Sequence, residues 1–307
     1  MGCVVLWGQS GDAPFDAVRA ELERRGAPHL ALVQERCFEA SCELRVAEEV
    51  HGVLRLPDRA IDLDEVSAAY PRPFESWRVL GRRGHAADSE AVRRAASLDH
   101  ALWGWLETTG ALVVNRPSAM TSNASKPYQA ELIRAHGFSI PDTLVTTDPE
   151  AARAFIARHE AAVYKSVSGV RSIVSRVGQD AMARLDDVGW CPTQFQARIP
   201  GVDVRVHVVG ERVLACEIRS EADDYRYARI RGIAIEVKQA ELPPDVAERC
   251  VALARGLGLA LSGIDLRRTA EGEWYCFEVN PSPGFPYYEQ AAGQPIAAAV
   301  ADLLTLQ

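Results

Sequence analysis

The sequence predicts an α/β fold in which an alternating N-terminal part precedes a strand-rich C-terminal part. Apolar runs such as CVVLW and HLALV alternate with helical patterns before residue 117, which is typical of a small α/β domain. From residue 192 onward short apolar strands follow one another, and a closing hairpin brings acidic residues together. A chain of 307 residues can bury a large core, so one to three domains are expected.

The N-terminal part is predicted to alternate strands and helices, with an irregular segment over residues 37–73. Gly26 ends the first helix, and Asp88 or Ser89 caps the second. The predicted elements are the strand CVVLW, a helix over 15–25, the strand HLALV, a helix over 89–109 and the strand ALVVN.

The remainder of the chain is predicted to change from mixed elements to strands. Its first elements are a helix after Ser125, a helix that opens at Asp148-Pro149, and the strands AAVYKSV and IVSRV on either side of the turn SGVRS. Later elements are QFQARI, the hairpin DVRVHVV–GE–RVLACEIRS, GIAIEVKQ, a helix over 244–257, the hairpin LSGIDLRRT–WYCFEVN and the helix PIAAAVADLL.

Three oxygen-bearing residues near the C-terminus predict a metal site. If the closing hairpin pairs Thr269 with Trp274, antiparallel counting puts Asp265 opposite Glu278, and alternation puts Asn280 on the same face. Such carboxylates repel unless a cation lies between them. An all-oxygen set suits Mg²⁺ or Mn²⁺ rather than zinc, and Mg²⁺ with few protein ligands usually binds nucleotide phosphates. The alternative is two solvated surface carboxylates.

Two lysines are candidates for binding phosphates. Lys165 lies inside the apolar strand VYKSV, where an unpaired charge is costly to bury. The following turn contains Ser168 and Gly169, and backbone N–H groups in such a turn suit phosphate oxygens. Lys126 opens a helix after Ser125, where a cation is unfavourable unless an anion binds. For each lysine the alternative is an ordinary position in solvent.

Charged residues alternate with valines in DVRVHVV. Asp203 and Arg205 therefore face away from the apolar side, and Arg219 is expected across the hairpin from them. Solvated charges on a polar sheet face are the alternative. The reason to consider a site is that these residues would share a sheet with Asp265 and Glu278.

Composition disfavours several classes of function. The net charge of −8 argues against general nucleic-acid or anionic-membrane binding. The opening MGCVVLWG lacks a basic region and is too short to span a membrane, and seven scattered cysteines form no zinc-spaced cluster. Reduced thiols and a cytoplasmic location are therefore expected. The P-loop, the Rossmann fingerprint and the GxSxG elbow are absent from the sequence.

The order of these features resembles the ATP-grasp superfamily, specifically RimK-type carboxylate ligases. Lys126 precedes a helix, Lys165 precedes a Ser/Gly turn, the run IPGVDVRV follows, and Asp265 and the Glu-x-Asn pair come last. The resemblance covers residues 118–307. It implies a pre-ATP-grasp N-terminal domain at 1–117 and two subdomains that sandwich ATP, a central one at 118–190 and a C-terminal one with the metal site at 191–307.

The resemblance also implies residue roles. Asp265, Glu278 and Asn280 would hold two Mg²⁺ ions, with Glu278 bridging. Catalytic charge stabilisation would come from Arg205, Arg219 and Lys165. Residues 196–199 would form the hinge strand under adenine, and because Ala197 stands where a glutamate is usual, Asp203 would substitute in the ribose contact. The implied ATP-binding residues are Lys126, Lys165, Ser168, Gly169, Gln196, Ala197, Ile199 and Asp203.

The Pro-Gly of the tail PSPGFPYYE resembles RimK-type enzymes. In EVNP and in the acid–Gly-Gln-Pro-Ile that follows, the tail is also similar to maturases of graspetides, which are microviridin-like peptides, and so is the run SEADDYRY. Their aromatic-Arg-Arg-Pro pattern is partly matched around Arg72. Arginines pair with carboxylates and tyrosines offer flat contact area, so a peptide substrate is expected to contact Arg72, Tyr225, Arg226, Arg229 and Arg231.

These features predict an ADP-forming ligase that phosphorylates a carboxylate with ATP and lets a hydroxyl or amine attack the acyl phosphate. One interpretation is a graspetide-type maturase that joins Asp or Glu side chains of a precursor peptide to its Ser, Thr or Lys side chains. The alternatives are a RimK-type ligase that adds an amino acid to a small carboxylate, and a nucleotide-binding module without activity. Two questions stay open: whether the substrate is a precursor peptide with a leader, and whether the protein forms a homo-oligomer. Neither nucleic acid nor membrane is expected as a partner.

Overall fold

The computed structural model describes residues 2–48, 50–167, 173–222, 224–225 and 232–306. The N-terminal strands form a parallel sheet in the order β2-β1-β6-β7. Asp12 caps α1 by accepting a hydrogen bond from the Phe15 N–H at 3.3 Å, and Gly26 ends that helix in the left-handed region. The bounds in this part are β1 Cys3–Gly8, α1 Ala13–Arg25, β2 His29–Val33, β3 Ser41–Val46, β4 Val50–Arg55, β5 Ala60–Asp62, β6 Val66–Arg72, α2 Ser76–Arg82, α3 Glu90–Thr108, β7 Leu112–Val113 and α4 Pro117–Met120.

Residues 37–73 are more regular than the sequence suggests. Strands β3, β4 and β5 form an antiparallel sheet, and β6 joins the parallel sheet beside β1. The prediction of an irregular segment is therefore wrong. The short strands β3 and β5 are largely exposed and carry mixed polar and apolar residues, so they lack the apolar runs that identify a buried strand.

The central part is an antiparallel sheet in the order β10-β9-β11-β8. Its bounds are α5 Lys126–Ala135, β8 Thr143–Thr146, α6 Pro149–Arg158, β9 Ala162–Ser166, β10 Ser175–Arg176, α7 Gln179–Ala183 and β11 Thr193–Ala197. Because β11 pairs with both β8 and β9, this sheet continues past residue 190, where the sequence analysis ended the central subdomain. The three-unit division itself stays a prediction.

The C-terminal part is an antiparallel sheet in the order β14-β13-β12-β15-β16. Its bounds are β12 Val202–Val209, β13 Arg212–Ser220, β14 Ile235–Ala240, α8 Pro244–Gly256, β15 Leu261–Arg268, β16 Trp274–Asn280, α9 Pro286–Ala292 and α10 Ile296–Thr305. Val204, Val206 and Ile264 on one face pack with Leu253 of α8 in a shared core. The opposite face carries Asp203, Arg205, Asp265 and Arg267.

The N-terminal and C-terminal sheets share a hydrophobic core. Leu6 and Phe15 from the start of the chain lie in the same buried cluster as Ile218 of β13 and Ile296 and Val300 of α10. The central sheet has a separate cluster whose buried members are Ala152, Phe155, Leu185, Val188 and Phe195.

A buried asparagine connects the shared core to the closing hairpin. The amide nitrogen of Asn115 donates to the carbonyl oxygens of Leu261 at 2.7 Å and Pro281 at 2.6 Å. Its amide oxygen accepts from the N–H groups of Ala260 at 2.8 Å and Leu261 at 3.1 Å. Three of these hydrogen bonds hold the start of β15, and the fourth holds the loop after Asn280, against the end of the N-terminal sheet. Across the ranges that the structure describes, no helix has the length and apolar character needed to cross a bilayer.

Candidate active site

Two carboxylates and an arginine lie side by side on three neighbouring strands. Arg205 of β12 is opposite Asp265 of β15, and Asp265 is opposite Glu278 of β16, as predicted. Directly paired residues point to the same face of a sheet, so these three side chains converge. Asn280 follows two residues after Glu278, opposite Gly263, and so shares that face. Its amide oxygen accepts a hydrogen bond from the Ser282 N–H at 2.9 Å.

A β-bulge produces this register. Cys276 pairs with Leu266 while Glu278 pairs with Asp265, which leaves Phe277 as the extra residue. The pairs nearer the turn are shifted by one residue from the predicted ones, since Trp274 lies opposite Arg268. The bulge restores the predicted alignment at the carboxylates.

Arg205 is held in a buried position behind the carboxylates. It is 5% exposed, and its Nη1 donates to Asp265 Oδ1 at 2.7 Å. Its guanidinium carbon lies 5.5 Å from the centroid of the Tyr288 ring, within range for a cation–π contact. A Cβ added at Gly263 would lie 2.1 Å from Arg205 Nη2, so the guanidinium occupies the space that this glycine leaves.

The charges around Arg205 determine the protonation of its neighbours. Burial alone would lower the pKa of Arg205, but the nearby Asp265 carboxylate raises it above its ordinary value. His207 is fully buried, and burial together with the Arg205 charge lowers its pKa well below the ordinary value. The Arg205 Nε donates to His207 Nε2 at 3.5 Å, which requires neutral His207. At neutral pH His207 is therefore an uncharged acceptor.

Lys126 approaches the site from the first residue of α5. Its Nζ lies 3.8 Å from Glu278 Oε1. The helix is fixed to β16 by Gln129, whose side chain donates to the Val279 carbonyl at 2.8 Å and accepts from the Val279 N–H at 2.9 Å. These two hydrogen bonds satisfy the Val279 backbone at the outer edge of β16, as a neighbouring strand would do. They also set the position of Lys126, which precedes Gln129 by about one turn of the helix.

Lys165 lies on the opposite side of the same cleft. It is 8% exposed on β9, opposite Gln194 of β11, and it lines the cleft with Glu278 and Gln196. The buried lysine expected from VYKSV is therefore present and faces the carboxylates across the space between the two sheets.

The other predicted nucleotide residues line this cleft as well. Gln196, Ala197, Ile199 and Asp203 all contribute to its lining. The Gln196 amide nitrogen donates to Thr143 Oγ1 at 3.0 Å. Ser168 and Gly169 lie outside the described residues.

Arg267 is a site residue that the sequence analysis missed. Its Nη2 lies 2.6 Å from Asp203 Oδ1, its Nη1 donates to the Ile199 carbonyl at 2.8 Å, and its guanidinium lies 5.1 Å from the Phe277 ring centroid. Burial raises the pKa of Asp203, and the Arg267 charge opposes that rise. The sequence does indicate this position for Arg267, because Arg267 follows Asp265 by two residues on one strand and so shares its face.

Of two further predicted arginines, Arg219 lies outside the cleft, which corrects that expectation, and Arg72 lies at the rim, where its contact with a substrate stays a prediction. Cys216 of β13 lies opposite Arg205 and shares its face, so Arg219, three residues after Cys216, points to the other face. The Arg219 side chain is 65% exposed, and its Nε donates to Glu217 Oε1 at 2.6 Å. Arg72 is held at the rim by Asp12 Oδ2 at 2.6 Å and donates to Ser282 Oγ at 2.8 Å.

Of the predicted substrate-contacting residues beyond β13, Tyr225 lines the cleft. Its hydroxyl oxygen lies 3.1 Å from that of Tyr288, and burial raises the pKa of Tyr225 well above its ordinary value. Arg226, Arg229 and Arg231 lie outside the described residues.

The donor set fits Mg²⁺ and nucleotide phosphates. Within the described part of the chain no group of three or more His, Cys, Asp or Glu side chains is arranged to hold a metal ion. The candidate metal-binding set in the cleft has two carboxylates, Asp265 and Glu278, and one amide, Asn280. Few protein oxygens suit Mg²⁺, which completes its coordination with water and phosphate oxygens. Arg205 and Lys126 lie beside the two carboxylates and supply positive charge there.

Comparison with solved structures shows the same fold. A RiPP-associated ATP-grasp ligase from Chryseobacterium gregarium aligns over 99% of this chain and 96% of its own, with a TM-score of 0.81 and 24% identity. The macrocyclase MdnC from Microcystis aeruginosa MRC aligns over 99% and 100%, with a TM-score of 0.78 and 22% identity. The ATP-grasp ligase PsnB, complexed with a minimal precursor, aligns over 99% and 97%, with a TM-score of 0.76 and 26% identity.

Sequence comparison gives relatives with other names. Beta-citrylglutamate synthase B from Danio rerio is 27% identical over 292 residues, which are 90% of this chain and 68% of that protein. A probable alpha-L-glutamate ligase from Xanthomonas oryzae is 27% identical over 207 residues, which are 64% of this chain and 69% of that protein.

The fold and these relatives define the class as an ADP-forming ATP-grasp ligase, for which ATP and Mg²⁺ are the typical cofactors. The RimK-like ATP-grasp domain model matches residues 124–304. Within the class, the chain belongs to the RimK-like ATP-grasp family.

Proposed function

We propose that this ligase activates the carboxyl group of an Asp or Glu side chain in a peptide and joins it to a hydroxyl or amine of the same peptide. The observation that carries the proposal is the arrangement of Asp265, Glu278 and Asn280 opposite Lys165 across one cleft. PsnB, whose structure was determined with a minimal precursor, covers nearly the whole length of this chain and supports a peptide as the substrate.

The proposed reaction has two steps. The γ-phosphoryl group of ATP is transferred to a carboxylate oxygen, which breaks the bond to ADP and forms an acyl phosphate. The hydroxyl or amine then attacks the acyl carbon, its proton is lost, and inorganic phosphate leaves. The peptide thereby loses one water for each bond formed.

Each residue has a defined part in these steps. Asp265, Glu278 and Asn280 would hold Mg²⁺. The bound metal would neutralise charge on the transferring phosphoryl group. Lys126 and Lys165 would bind phosphate oxygens from the two sides of the cleft.

Arg205 would stabilise the acyl phosphate from its buried position beside Asp265. Gln196, Ala197 and Ile199 would line the adenine end, and Asp203, held by Arg267, would contact the ribose. Arg219 has no part in these steps, because it lies on the other face of the sheet.

A second candidate is an amino-acid ligase that adds a residue to a small carboxylate. The names of the sequence relatives, a beta-citrylglutamate synthase and probable glutamate ligases, favour it. The cleft chemistry is the same in both cases, so only the substrate distinguishes them.

Mass spectrometry tests the proposal. The enzyme is incubated with ATP, Mg²⁺ and a candidate precursor peptide that contains Thr, Ser, Lys, Asp and Glu. We expect the peptide mass to fall in steps of about 18 Da, with ADP and phosphate as coproducts. A rise by whole amino-acid residues, when free amino acids are present, would establish the second candidate instead. AMP and pyrophosphate as products would refute both.

A further inference from the structure

The strand β6 leads from the N-terminal sheet directly to the rim of the cleft. Arg72, its last residue, donates to Ser282 Oγ at 2.8 Å, and Ser282 follows Asn280 by two residues. Phe74 comes two residues after Arg72, so its backbone lies at most about 7 Å from the backbone of the residue whose side chain makes that contact. Ligands of open α/β sheets bind outside the carboxyl ends of the strands, and β6 ends at this edge.

The segment around Phe74 is fixed by buried polar side chains. Gln34, fully buried, donates to the Phe74 carbonyl at 2.7 Å and accepts from the Phe74 N–H at 2.9 Å. It also donates to Ser76 Oγ at 3.0 Å, and that hydroxyl donates to Asp99 Oδ1 at 2.7 Å. The Ser76 N–H donates to Asp99 Oδ2 at 3.2 Å. The backbone here is held in one conformation before anything binds.

This fixed segment presents two aromatic side chains to solvent. Phe74 is 56% exposed and Trp77 is 49% exposed, whereas Val79 and Leu80 on the same helix are buried in the core. The core therefore accounts for Val79 and Leu80 but not for the aromatic pair. Single exposed apolar residues are ordinary, but two aromatics within four positions on an ordered segment resemble the anchors of an interface.

The same segment is basic in an acidic protein. Residues 72–83 contain four arginines and one glutamate; Arg72 is paired with Asp12 at 2.6 Å, which leaves Arg78, Arg82 and Arg83 as the exposed arginines of the segment, in a chain that carries −8. The Arg78 guanidinium lies 5.0 Å from the Trp77 ring centroid and 3.5 Å from Glu75. Arg83 lies 3.6 Å from Glu35. Arginines beside exposed aromatics suit a ligand that is acidic and has apolar contact area.

We propose that Phe74 and Trp77, with Arg78 and Arg82 beside them, form a docking surface for the acidic stretch of the peptide substrate. The inference rests on the proposed function, since a peptide with Asp or Glu side chains to be activated is an acidic ligand. Fixed at the rim, the surface holds the peptide while its successive carboxylates enter the cleft. We call these four residues the rim surface.

Direct binding tests this without turnover. The probe is a short fluorescein-labelled peptide in which Thr alternates with Asp and Glu, and its Kd is measured by fluorescence anisotropy without ATP. We expect the Phe74→Ala/Trp77→Ala double variant to raise Kd at least about fivefold, as truncated interface anchors do. The Arg78→Ala/Arg82→Ala variant should also raise Kd and reduce its dependence on salt. A probe with Asn and Gln in place of Asp and Glu should bind the wild type more weakly.

The matched control is the Arg45→Ala/Val46→Ala variant, which removes an exposed arginine and a 77% exposed valine from β3. Its Kd should equal that of the wild type. An equal Kd in all variants, or no binding by the wild type, would overturn the proposal. So would a change of sedimentation coefficient in the aromatic variant with unchanged peptide Kd, because the surface would then bind a second copy of the chain.

Turnover of the same peptide separates this proposal from the proposed function. If the aromatic variant binds the probe weakly but the wild type releases no ADP on it, the ligase proposal fails and the rim surface stands. If the wild type releases ADP and all variants share one Kd and one KM for the peptide, the rim surface fails and the ligase proposal stands.

Discussion

Two ion pairs lie at neighbouring positions of the β12–β15 ladder and differ in their surroundings. Asp203 on β12 pairs with Arg267 on β15, and two residues further Arg205 on β12 pairs with Asp265 on β15. In the first pair the arginine makes two further contacts, with the Ile199 carbonyl and the Phe277 ring. In the second pair the carboxylate has another carboxylate, Glu278, as its neighbour.

The comparison shows that two Asp–Arg ion pairs of the same chemical type can have different roles. The Asp203–Arg267 pair satisfies its own charges and holds the chain where β11 passes into β12. The Arg205–Asp265 pair lies beside a second negative charge, so it has the electrostatic field that a divalent cation needs. The first pair should therefore matter mainly for stability and the second mainly for turnover.

The largest expected effect is at Glu278, the carboxylate beside the second pair. Glu278→Gln should reduce ADP release at least about 1000-fold, because it removes a proposed metal ligand. The unfolding free energy should be unchanged or slightly higher, since one of two facing carboxylates becomes neutral. A coupled ADP assay and chemical denaturation measure both. Glu217→Gln, on the opposite face of the sheet, is the control and should retain activity. Normal turnover by Glu278→Gln would remove Glu278 from the site.

A smaller effect is expected from the glycine behind Arg205. In Gly263→Ala the new methyl group would lie 2.1 Å from Arg205 Nη2 and 2.8 Å from Pro283 Cβ, so the buried guanidinium must shift. We expect kcat to fall about 10- to 100-fold and stability to fall by about 1–3 kcal/mol. Gly110→Ala, where a Cβ meets no atom within 4 Å, is the control. Equal kcat in the two variants would show that the position of Arg205 is unimportant.

Substitutions in the Asp203–Arg267 pair should change stability more than they change turnover. Arg267→Met leaves the Asp203 carboxylate without its partner, in surroundings whose burial already raises its pKa. We expect the unfolding free energy to fall by about 2 kcal/mol, the KM for ATP to rise a few fold, and kcat to change less than threefold. A double-mutant cycle with Asp203→Asn should recover a coupling of about 1 kcal/mol. A loss of kcat like that of Glu278→Gln would contradict the division between the pairs.

The smallest effect is a pH dependence from His207. Its pKa is lowered by burial and by Arg205, so below about pH 6.5 the unfolded chain binds a proton that the folded chain does not. Stability from this group is present above the unfolded pKa and is lost as pH falls. Between about pH 7.5 and 5.5 the wild type should lose about 1.4 kcal/mol more than His207→Asn.

The register at the carboxylates was predictable for a partly fortuitous reason. The predicted pairing of Thr269 with Trp274 is wrong by one residue, and the bulge at Phe277 shifts the ladder back by one. Local sequence carries no clear signal for such a bulge, because its cause is the packing of both strands. The Gly-Glu turn between β12 and β13 was predicted correctly, since Val209 pairs with Arg212. Counting residues along β13 from that turn already places Arg219 on the face of the sheet opposite to Arg205.

Long-range contacts were beyond sequence reasoning. Gln129 binds the Val279 backbone across 150 positions, and Asn115 binds Leu261 across 146. Both are single polar residues in ordinary local contexts, and only the buried backbone groups at the far end explain them. Lys165 could be recognised because a lysine inside an apolar strand conflicts with its own local environment.

The core shared by the first and last elements determines which part of the molecule can move. Leu6 and Phe15 share one interior with Val300 of α10, so separating the N-terminal and C-terminal sheets would expose that interior to water at about 25 cal/mol per Å². The central sheet keeps its own interior and joins the C-terminal sheet through the short segments 136–142 and 198–201. We therefore expect nucleotide entry and release to occur by rotation of the central sheet, with Lys165 travelling and Glu278 stationary.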